Sequence, residues 1–425
     1  MTDSMQWLNA LSTRASLEGA LDDVVAQLRP QLTGAPDLGI VFLSSAFASE
    51  ASRLLPLLQE KLSLPVVVGC LGNGLIGMKG TANQEIEQGP ALSLTVAVLP
   101  GVNLRPFWLQ EQDLPDLDSP PQAWSEVVGV DPQENPHFIL LVDPMMGGVN
   151  DLLAGLDFAY PGAVKVGGLA SGGDAYHLPL FFSCPGQGNR PNRGQGVAGL
   201  ALSGAIALES IVAQGCRPIG RPFRVTEGER NIILEIEAPH PVTEDLVTSP
   251  PLVSLRELVQ TLSEKDRELA QNALFVGVAM DEFKRALQPG DFLIRNLLGV
   301  DPRQGALAIG DRVRVGQRLQ FHLRDGRTSA EDLQYLLEQY TQKPPSPGEI
   351  KGALMFPCLG RGSSLYQQAN FDSNLFRRYF PQTPLGGFFC NGEIGPVGRQ
   401  TFLHGYTSVF GLIKALPLGE DHNAP

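Results

Sequence analysis

The residues with the most evident chemical potential lie near the end of the chain, in FFCNGEIGPVG, residues 388 to 398. A thiol, a carboxamide and a carboxylate follow an apolar run there, at Cys390, Asn391 and Glu393. With His404 as a base and Glu393 orienting its ring, Cys390 would be a thiol nucleophile. Cysteine is also among the most frequently buried residue types, and a packed thiol is the more common arrangement.

Two arginines could bind a charged ligand. Arg361 follows an apolar run in LGRGSS, and Arg295 precedes Asn296 directly after GDFLI. A guanidinium at a strand end can bind a carboxylate through two hydrogen bonds, and Glu393 could receive an ammonium group. This combination predicts a zwitterionic ligand such as an amino acid, and the candidate ligand-binding residues of this group are Arg295, Asn296, Arg361, Glu393 and His404. The alternative for each arginine is solvation at the surface or a structural ion pair.

Glycine-rich segments follow three apolar runs, and each contains a small polar residue. Glycine lets backbone N–H groups approach a ligand without a Cβ in the way. Three such segments favour a ligand-binding cleft, although each could also be only a tight turn. The candidate residues in these segments are Asn73, Gly74, Ser171, Gly172, Asn391 and Gly392.

Cofactor and metal motifs are weak or absent in the sequence. GNGLIG, residues 72 to 77, has the G-x-G-x-x-G spacing, but MKGTANQEIEQGP follows it without the apolar period of a helix. The five cysteines form no C-x-x-C pair, and no H-E-x-x-H is present. We therefore expect neither a nucleotide cofactor nor a metal.

An internal repeat positions the candidate residues. Each of three copies reads as an apolar strand, an amphipathic helix, a second short strand that ends in a glycine-rich segment, and a third strand. The copies begin at LGIVFLSSAF, PHFILLVDPMM and GALMFPCLGRG. This pattern predicts an α/β (α+β) fold with layers of sheet and helix.

The region between the second and third copies has a different pattern. Alternating apolar and polar residues around EGER, residues 227 to 230, predict a hairpin. Further short strands are expected, with turns at Pro289-Gly290, Asp301-Pro302 and Gly310-Asp311. Thr328 and Glu331 have the spacing of a capping box at the start of a helix.

The length of 425 residues favours two domains. We expect an amphipathic helical region over residues 1–36, an α/β domain over 37–214, an α/β domain rich in strands over 215–417 and a tail over 418–425. Proline-rich LPDLDSPPQAWSE is interpreted as a linker.

Charge and hydropathy exclude several classes of partner. The net charge is −13 and no basic run is present, which argues against nucleic acid and anionic membranes. The longest apolar stretch, VAGLALSGAIAL, has about 12 residues against the ~20 that span a bilayer. The N-terminus lacks the pattern of a signal peptide. These features predict a cytoplasmic protein.

Several separated motifs resemble proteins with paired FIST N and FIST C domains. They include GCLGNGLIG, VGGLASGGD, RNLLGVDPRQGALAIGDRVRVGQRLQFHLRD and FFCNGEIGPVG, and the resemblance covers about residues 37 to 417. It implies a sensory, ligand-binding module of signal transduction that binds small molecules such as amino acids. This sequence departs from many relatives, because only about 36 residues precede the match and none are left for an output domain. We therefore expect a stand-alone sensor, whose output is a partner protein or a homo-oligomer.

Two other functions stay open at this point. One is a thiol-dependent hydrolase or transferase that uses Cys390 and His404. The other is an interaction scaffold without a ligand, assembled through strand edges or the N-terminal helix.

Overall fold

The chain forms two compact units in the computed structural model, which describes residues 4–173, 179–185, 188–193, 195–239, 245–287 and 289–417. Unit 1 contains Met1–Val212 and Leu336–Pro425, and unit 2 contains Ala213–Tyr335. The expected tail over 418–425 lies outside the described residues. The last 90 residues thus belong to the same unit as the N-terminal half, and not to a separate domain over 215–417 as the sequence pattern predicts.

The elements are numbered along the chain. The first segment of unit 1 contains β1 (Gln6–Ser12), α1 (Leu17–Leu28), β2 (Leu38–Ser44), α2 (Ala51–Lys61), β3 (Val66–Gly72), β4 (Leu75–Lys79), β5 (Ala82–Ile86), β6 (Leu92–Val98), β7 (Val102–Gln110), α3 (Pro121–Val128), β8 (His137–Val142), α4 (Val149–Ala159), β9 (Lys165–Leu169), β10 (Leu180–Cys184), β11 (Gly188–Arg193), β12 (Gly196–Gly204) and β13 (Ile206–Ala213). Unit 2 contains β14 (Arg217–Glu229), β15 (Ile232–Pro239), β16 (Leu246–Ser249), α5 (Pro251–Thr261), α6 (Glu264–Ala270), β17 (Leu274–Ala279), β18 (Phe292–Asp301), β19 (Ala306–Ile309) and β20 (Arg318–Leu323). The last part of the chain contains α7 (Gly326–Gln342), β21 (Glu349–Pro357), α8 (Ser363–Tyr366), α9 (Phe371–Tyr379), β22 (Leu385–Phe388), β23 (Glu393–Val397), β24 (Gln400–His404) and β25 (Ser408–Ala415).

The predicted three-copy repeat is confirmed, and each copy is larger than the sequence pattern showed. The first copy runs from β1 to β6 and the second from β7 to β12, with the same order of strands and helices. The third copy begins with β13 and continues from α7 to β25. Unit 2 is therefore an insertion between the first strand and the first helix of the third copy.

The three sheets of unit 1 have equivalent strand orders. They are β1-β6-β2-β3-β10-β11, β7-β12-β8-β9-β23-β24 and β13-β25-β21-β22-β4-β5. In each sheet the first four strands come from one copy, and the hairpin at the end comes from another copy. The second copy gives its hairpin to the first, the third to the second, and the first to the third. This cyclic exchange ties the three copies together.

The core of unit 1 explains the continuous apolar runs. Alternate residues of the central strands, such as Phe42, Ile139 and Leu354, belong to one cluster that contains residues from all three sheets. The residues between them, such as Val41 and Leu43, pack with the apolar faces of α1 and α2. Strands buried on both faces require apolar side chains at successive positions.

The N-terminal region differs from the expected amphipathic helix. Gln6–Ser12 is strand β1, which pairs with β6 in antiparallel register. The helix begins only at Leu17, after Ser16, whose hydroxyl accepts a hydrogen bond from the Gly19 N–H at 3.2 Å. Pairing with a strand distant in sequence overrides the local helical pattern here.

Unit 2 contains the predicted hairpin around EGER, formed by β14 and β15. Strands β14, β20, β17, β18, β19 and β15 follow one another in a sheet, and β15 also pairs with β14, which closes the ring. The predicted turns at Asp301-Pro302 and Gly310-Asp311 lie at the ends of β18 and β19.

The predicted capping box of Thr328 and Glu331 is wrong in its position. Helix α7 begins at Gly326, and the Asp325 side chain accepts a hydrogen bond from the Thr328 N–H at 2.7 Å.

Candidate functional site

Three equivalent strand ends meet in unit 1. Each copy pairs its two central strands in parallel, and the register sets Gly69 against Val41 and Gly167 against Leu140. Gly387 lies in the same way against Met355. A Cβ at any of these three glycines would lie about 2 Å from a carbonyl oxygen of the neighbouring strand, so the close pairing requires glycine.

The register shows that the predicted polar residues are equivalent. Asn73, Ser171 and Asn391 each lie four positions after the paired glycine of their own copy. Each is followed directly by a glycine. We call these six residues the strand-end face: Asn73, Gly74, Ser171, Gly172, Asn391 and Gly392.

Side chains join the first two strand ends. The Asn73 N–H donates to Ser171 Oγ at 2.9 Å, and Asn73 Nδ2 donates to the Ser171 carbonyl at 2.5 Å. Ser45, which follows β2, donates its hydroxyl to Asn73 Oδ1 at 2.5 Å. Gly172 allows this approach, because a Cβ there would lie 2.6 Å from Ser45 Oγ.

Backbone groups join the third end to the other two. The Phe389 N–H donates to the Gly74 carbonyl at 2.9 Å, and the Ser171 hydroxyl donates to the Phe389 carbonyl. The Asn391 N–H donates to the Leu169 carbonyl at 3.0 Å. All three copies therefore contribute to one hydrogen-bonded cluster at the carboxyl ends of β3, β9 and β22.

The strand-end face is accessible to solvent. Asn73 and Asn391 are exposed and Ser171 is half-buried, whereas the three glycines after them are buried. Among the apolar residues that follow the neighbouring strands β8 and β21, Met145 is 75% exposed and Leu359 is 39% exposed. Neutral donors and acceptors beside apolar side chains are the usual composition of a small-molecule site.

Glu393 and His404 lie behind this face and are buried. Glu393 Oε2 accepts the Thr407 N–H at 2.9 Å. His404 is its partner across the β23–β24 pair, and His404 Nε2 lies 3.0 Å from the Gly395 carbonyl. These contacts hold neighbouring strands in place.

Arg361 is fully buried and engaged in a structural ion pair. Its Nε donates to Asp372 Oδ2 at 2.7 Å, and its Nη2 donates to Asp372 Oδ1 at 3.2 Å. Nη2 also donates to the Tyr366 hydroxyl, and Nη1 to the Tyr406 carbonyl at 3.4 Å. Arg361 thus forms a structural ion pair, the alternative to ligand binding that the sequence left open.

Arg295 and Asn296 belong to unit 2, on β18. Arg295 Nε donates to Asp311 Oδ2 at 2.7 Å. The structure therefore brings together the six predicted residues of the strand-end face, and Arg295 and Asn296 are not among them.

Cys390 is buried, and its thiol lies 3.5 Å from the Phe388 carbonyl. Burial and then the negative charge of Glu393 raise the pKa of the Cys390 thiol well above its usual value. A catalytic cysteine needs the opposite shift, so its environment gives no support to a hydrolase that uses this thiol.

A second polar cluster was missed in the sequence. On β5, Glu85 is buried and its Oε1 accepts the Ser373 N–H in the first turn of α9 at 2.8 Å. Asn83 Nδ2 donates to the Ser373 carbonyl at 3.0 Å, and Glu87 accepts the Ser363 N–H at 2.8 Å. The available signal was weak: positions 83, 85 and 87 are polar and lie on one face of an extended chain, but Gln84 on the other face is polar too.

A surface depression of about 500 Å³ lies elsewhere, between α1 and α2, with Asp22, Arg29 and Lys61 in its lining. Within the described ranges, no three His, Cys, Asp or Glu side chains lie close enough together to hold a metal ion. No described helix is both long and apolar enough to cross a bilayer.

The fold and the clustered strand ends define an α/β protein with a three-fold internal repeat and one accessible polar face. The FIST N domain model matches residues 37–238, and the FIST C domain model matches residues 252–396. The chain belongs to the FIST family, whose domains are described as sensory, ligand-binding domains of signal transduction.

The chain is also similar to relatives over nearly its whole length. An uncharacterized protein of Mycobacterium tuberculosis is 31% identical over 403 residues, which cover 95% of this chain and 98% of the relative. One from Mycobacterium bovis is 32% identical over 391 residues, which cover 92% and 94%. Among solved structures, a cyanuric acid hydrolase from A. caulinodans matches with a TM-score of 0.32 and 9% identity, over 97% of this chain and all of that one.

Proposed function

We propose that this protein is a sensor that binds a small polar metabolite on the strand-end face. The observation that carries the proposal is the meeting of three equivalent polar residues, Asn73, Ser171 and Asn391, at the carboxyl ends of their strands. Ligands of α/β proteins commonly bind outside the carboxyl ends of strands.

The chemistry of the face favours a ligand with both hydrogen-bond donors and acceptors. The Asn391 carboxamide is exposed and offers both kinds of group, and Ser171 adds a hydroxyl. Amino acids are one class that satisfies this requirement. Because Arg361 and Glu393 are buried behind the face, we propose recognition by neutral groups instead of a charged clamp.

The three ends belong to three copies of the repeat, which suggests how binding becomes a signal. A ligand that contacts more than one end favours whichever arrangement of the copies binds it best, and the shift is limited by the difference in affinity. A partner protein or a second copy of the chain would receive this change. A cytoplasmic location is part of the same proposal, and the five thiols are consistent with it.

A thermal-shift screen against amino acids, organic acids and nucleotides tests the proposal. A ligand that binds only the folded state adds about 2.7 kcal/mol of stability at 100 times its Kd. We expect one chemical class of small polar compounds to raise the melting temperature selectively. A flat response across the whole panel would contradict the sensor and favour a scaffold, for which the melting temperature would instead depend on protein concentration.

A further inference from the structure

Two cysteines lie opposite each other where β21 and β22 end. Cys358 and Cys390 form a parallel β-bridge. The Cys390 N–H donates to the Pro357 carbonyl at 2.6 Å, and the Leu359 N–H donates to the Cys390 carbonyl at 3.0 Å. The backbone of Cys390 thus bonds to the residues on both sides of Cys358, which sets the two cysteines directly side by side.

This pairing satisfies the main distance requirement of a disulfide. Neighbouring strands lie about 4.7–4.9 Å apart, and the Cα atoms of a disulfide are usually about 4.4–6.8 Å apart. Side chains of directly paired residues point to the same face of a sheet. All five cysteines of the chain carry thiols in the structure.

The two thiols have different environments. Cys358 is half-buried, and the Gly360 N–H points at its sulfur from 3.4 Å, where it can stabilise a thiolate. Cys390 is fully buried behind it. Cys358 is therefore the sulfur that an oxidant reaches first, and Cys390 is placed to react with the oxidised product.

We propose that Cys358 and Cys390 are a redox-sensitive pair that a peroxide converts into a disulfide. The Cys358 thiolate attacks one peroxide oxygen, the O–O bond breaks, and the leaving hydroxide takes up the proton released by the Cys358 thiol to form water. The Cys390 sulfur then attacks the Cys358 sulfenic acid. An S–S bond forms, the S–O bond breaks, and the Cys390 proton leaves with the hydroxyl as a second water.

The bond would join the segments after β21 and β22 beside Asn391 of the strand-end face. Oxidation is therefore expected to change ligand affinity, and this consequence alone rests on the proposed function. Formation of the disulfide depends only on the pairing of the two cysteines.

Peptide mapping after treatment of the reduced protein with hydrogen peroxide tests the pair. Trypsin places Cys358 in the peptide of residues 352–361 and Cys390 in that of residues 379–399. We expect these peptides to be joined, the thiol titre to fall from five to three, and a thiol reductant to restore all five.

Two variants make the test specific. Cys358→Ala is expected to abolish the joined peptide, and Cys216→Ala, in unit 2, is expected to retain it. Accumulation of sulfinic acid at Cys358 without the joined peptide would overturn the proposal, as would a bond from Cys390 to Cys70 in the wild-type protein. Because mapping needs no ligand, its result is independent of the thermal-shift screen.

Discussion

Replacement of Arg361 with alanine is expected to lower the free energy of unfolding by about 3–5 kcal/mol, because it leaves the Asp372 carboxylate buried without its partner. The ion pair is almost completely excluded from solvent, with side-chain exposures of 0% and 2%. Both carboxylate oxygens of Asp372 accept hydrogen bonds from the guanidinium. Urea denaturation of the variant measures the loss.

Two further variants separate the ion pair from general effects. Arg378→Ala removes an exposed arginine of α9 and is expected to change stability by less than about 0.5 kcal/mol. A double variant, Arg361→Met with Asp372→Leu, removes both charges and is expected to recover much of the lost stability. If Arg361→Ala unfolds at the wild-type urea concentration but no longer binds a ligand, Arg361 contacts the ligand and its structural assignment is wrong.

The second large effect expected is a loss of stability as the pH rises through neutrality. Burial first, and then the negative charge of Asp372, raises the pKa of Glu85 to about 7 from its usual 4.5. Between about pH 4.5 and pH 7, the folded state therefore holds a proton on Glu85 that the unfolded state has lost. The stabilisation is complete below about pH 4.5 and disappears as the pH passes 7. A shift of this size corresponds to roughly 3 kcal/mol.

Glu85→Gln tests this assignment because the amide keeps an oxygen for the Ser373 N–H and cannot ionise. We expect the variant to match the wild type near pH 4.5 and to be more stable by about 2–3 kcal/mol at pH 8. Glu87→Gln, one residue after β5, keeps Glu85 and is therefore expected to lose stability with rising pH as the wild type does. The loss should be slightly smaller, because the Glu87 charge contributes to the raised pKa of Glu85. Equal urea midpoints of the Glu85 variant and the wild type at pH 8 would show that the pKa of Glu85 is not raised in the folded protein.

The repeat could be predicted from the sequence because strands that are buried on both faces of a sheet have apolar residues at successive positions. The runs at β2, β8 and β21 are apolar at successive positions, and a glycine-rich segment follows the next strand of each copy. The same signature located Asn73, Ser171 and Asn391, although only the strand register showed that their positions are equivalent.

Other elements depended on contacts that no local pattern encodes. The local pattern of β1 predicts a helix, because the strand β6 that pairs with it lies about 85 residues away. The prolines of α3 predict a linker, yet Pro121 is at the first helical position, where a proline is well tolerated. The insertion of unit 2 into the third copy was hidden because β13 and α7 are separated by more than 100 residues.

The buried charges were the least predictable part of the site. Arg361 follows an apolar run, and this position predicts an arginine that binds a ligand. Its actual partner, Asp372, is eleven residues away, across α8. Glu85 and Ser373 are nearly 290 residues apart and meet only because the first copy gives its hairpin to the third sheet. Spacing within one segment carries no information on such a contact.

The affinity of Asn391→Ala tests the central claim most directly. The compound that gives the largest thermal shift would be titrated calorimetrically into the wild type, this variant and Asn103→Ala, which removes an exposed carboxamide from β7. If the ligand binds on the strand-end face, Asn391→Ala raises the Kd about 5–10-fold, as expected for the loss of one hydrogen bond to the ligand. Asn103→Ala leaves the Kd unchanged. Equal affinity in all three proteins would contradict the account and place the ligand elsewhere.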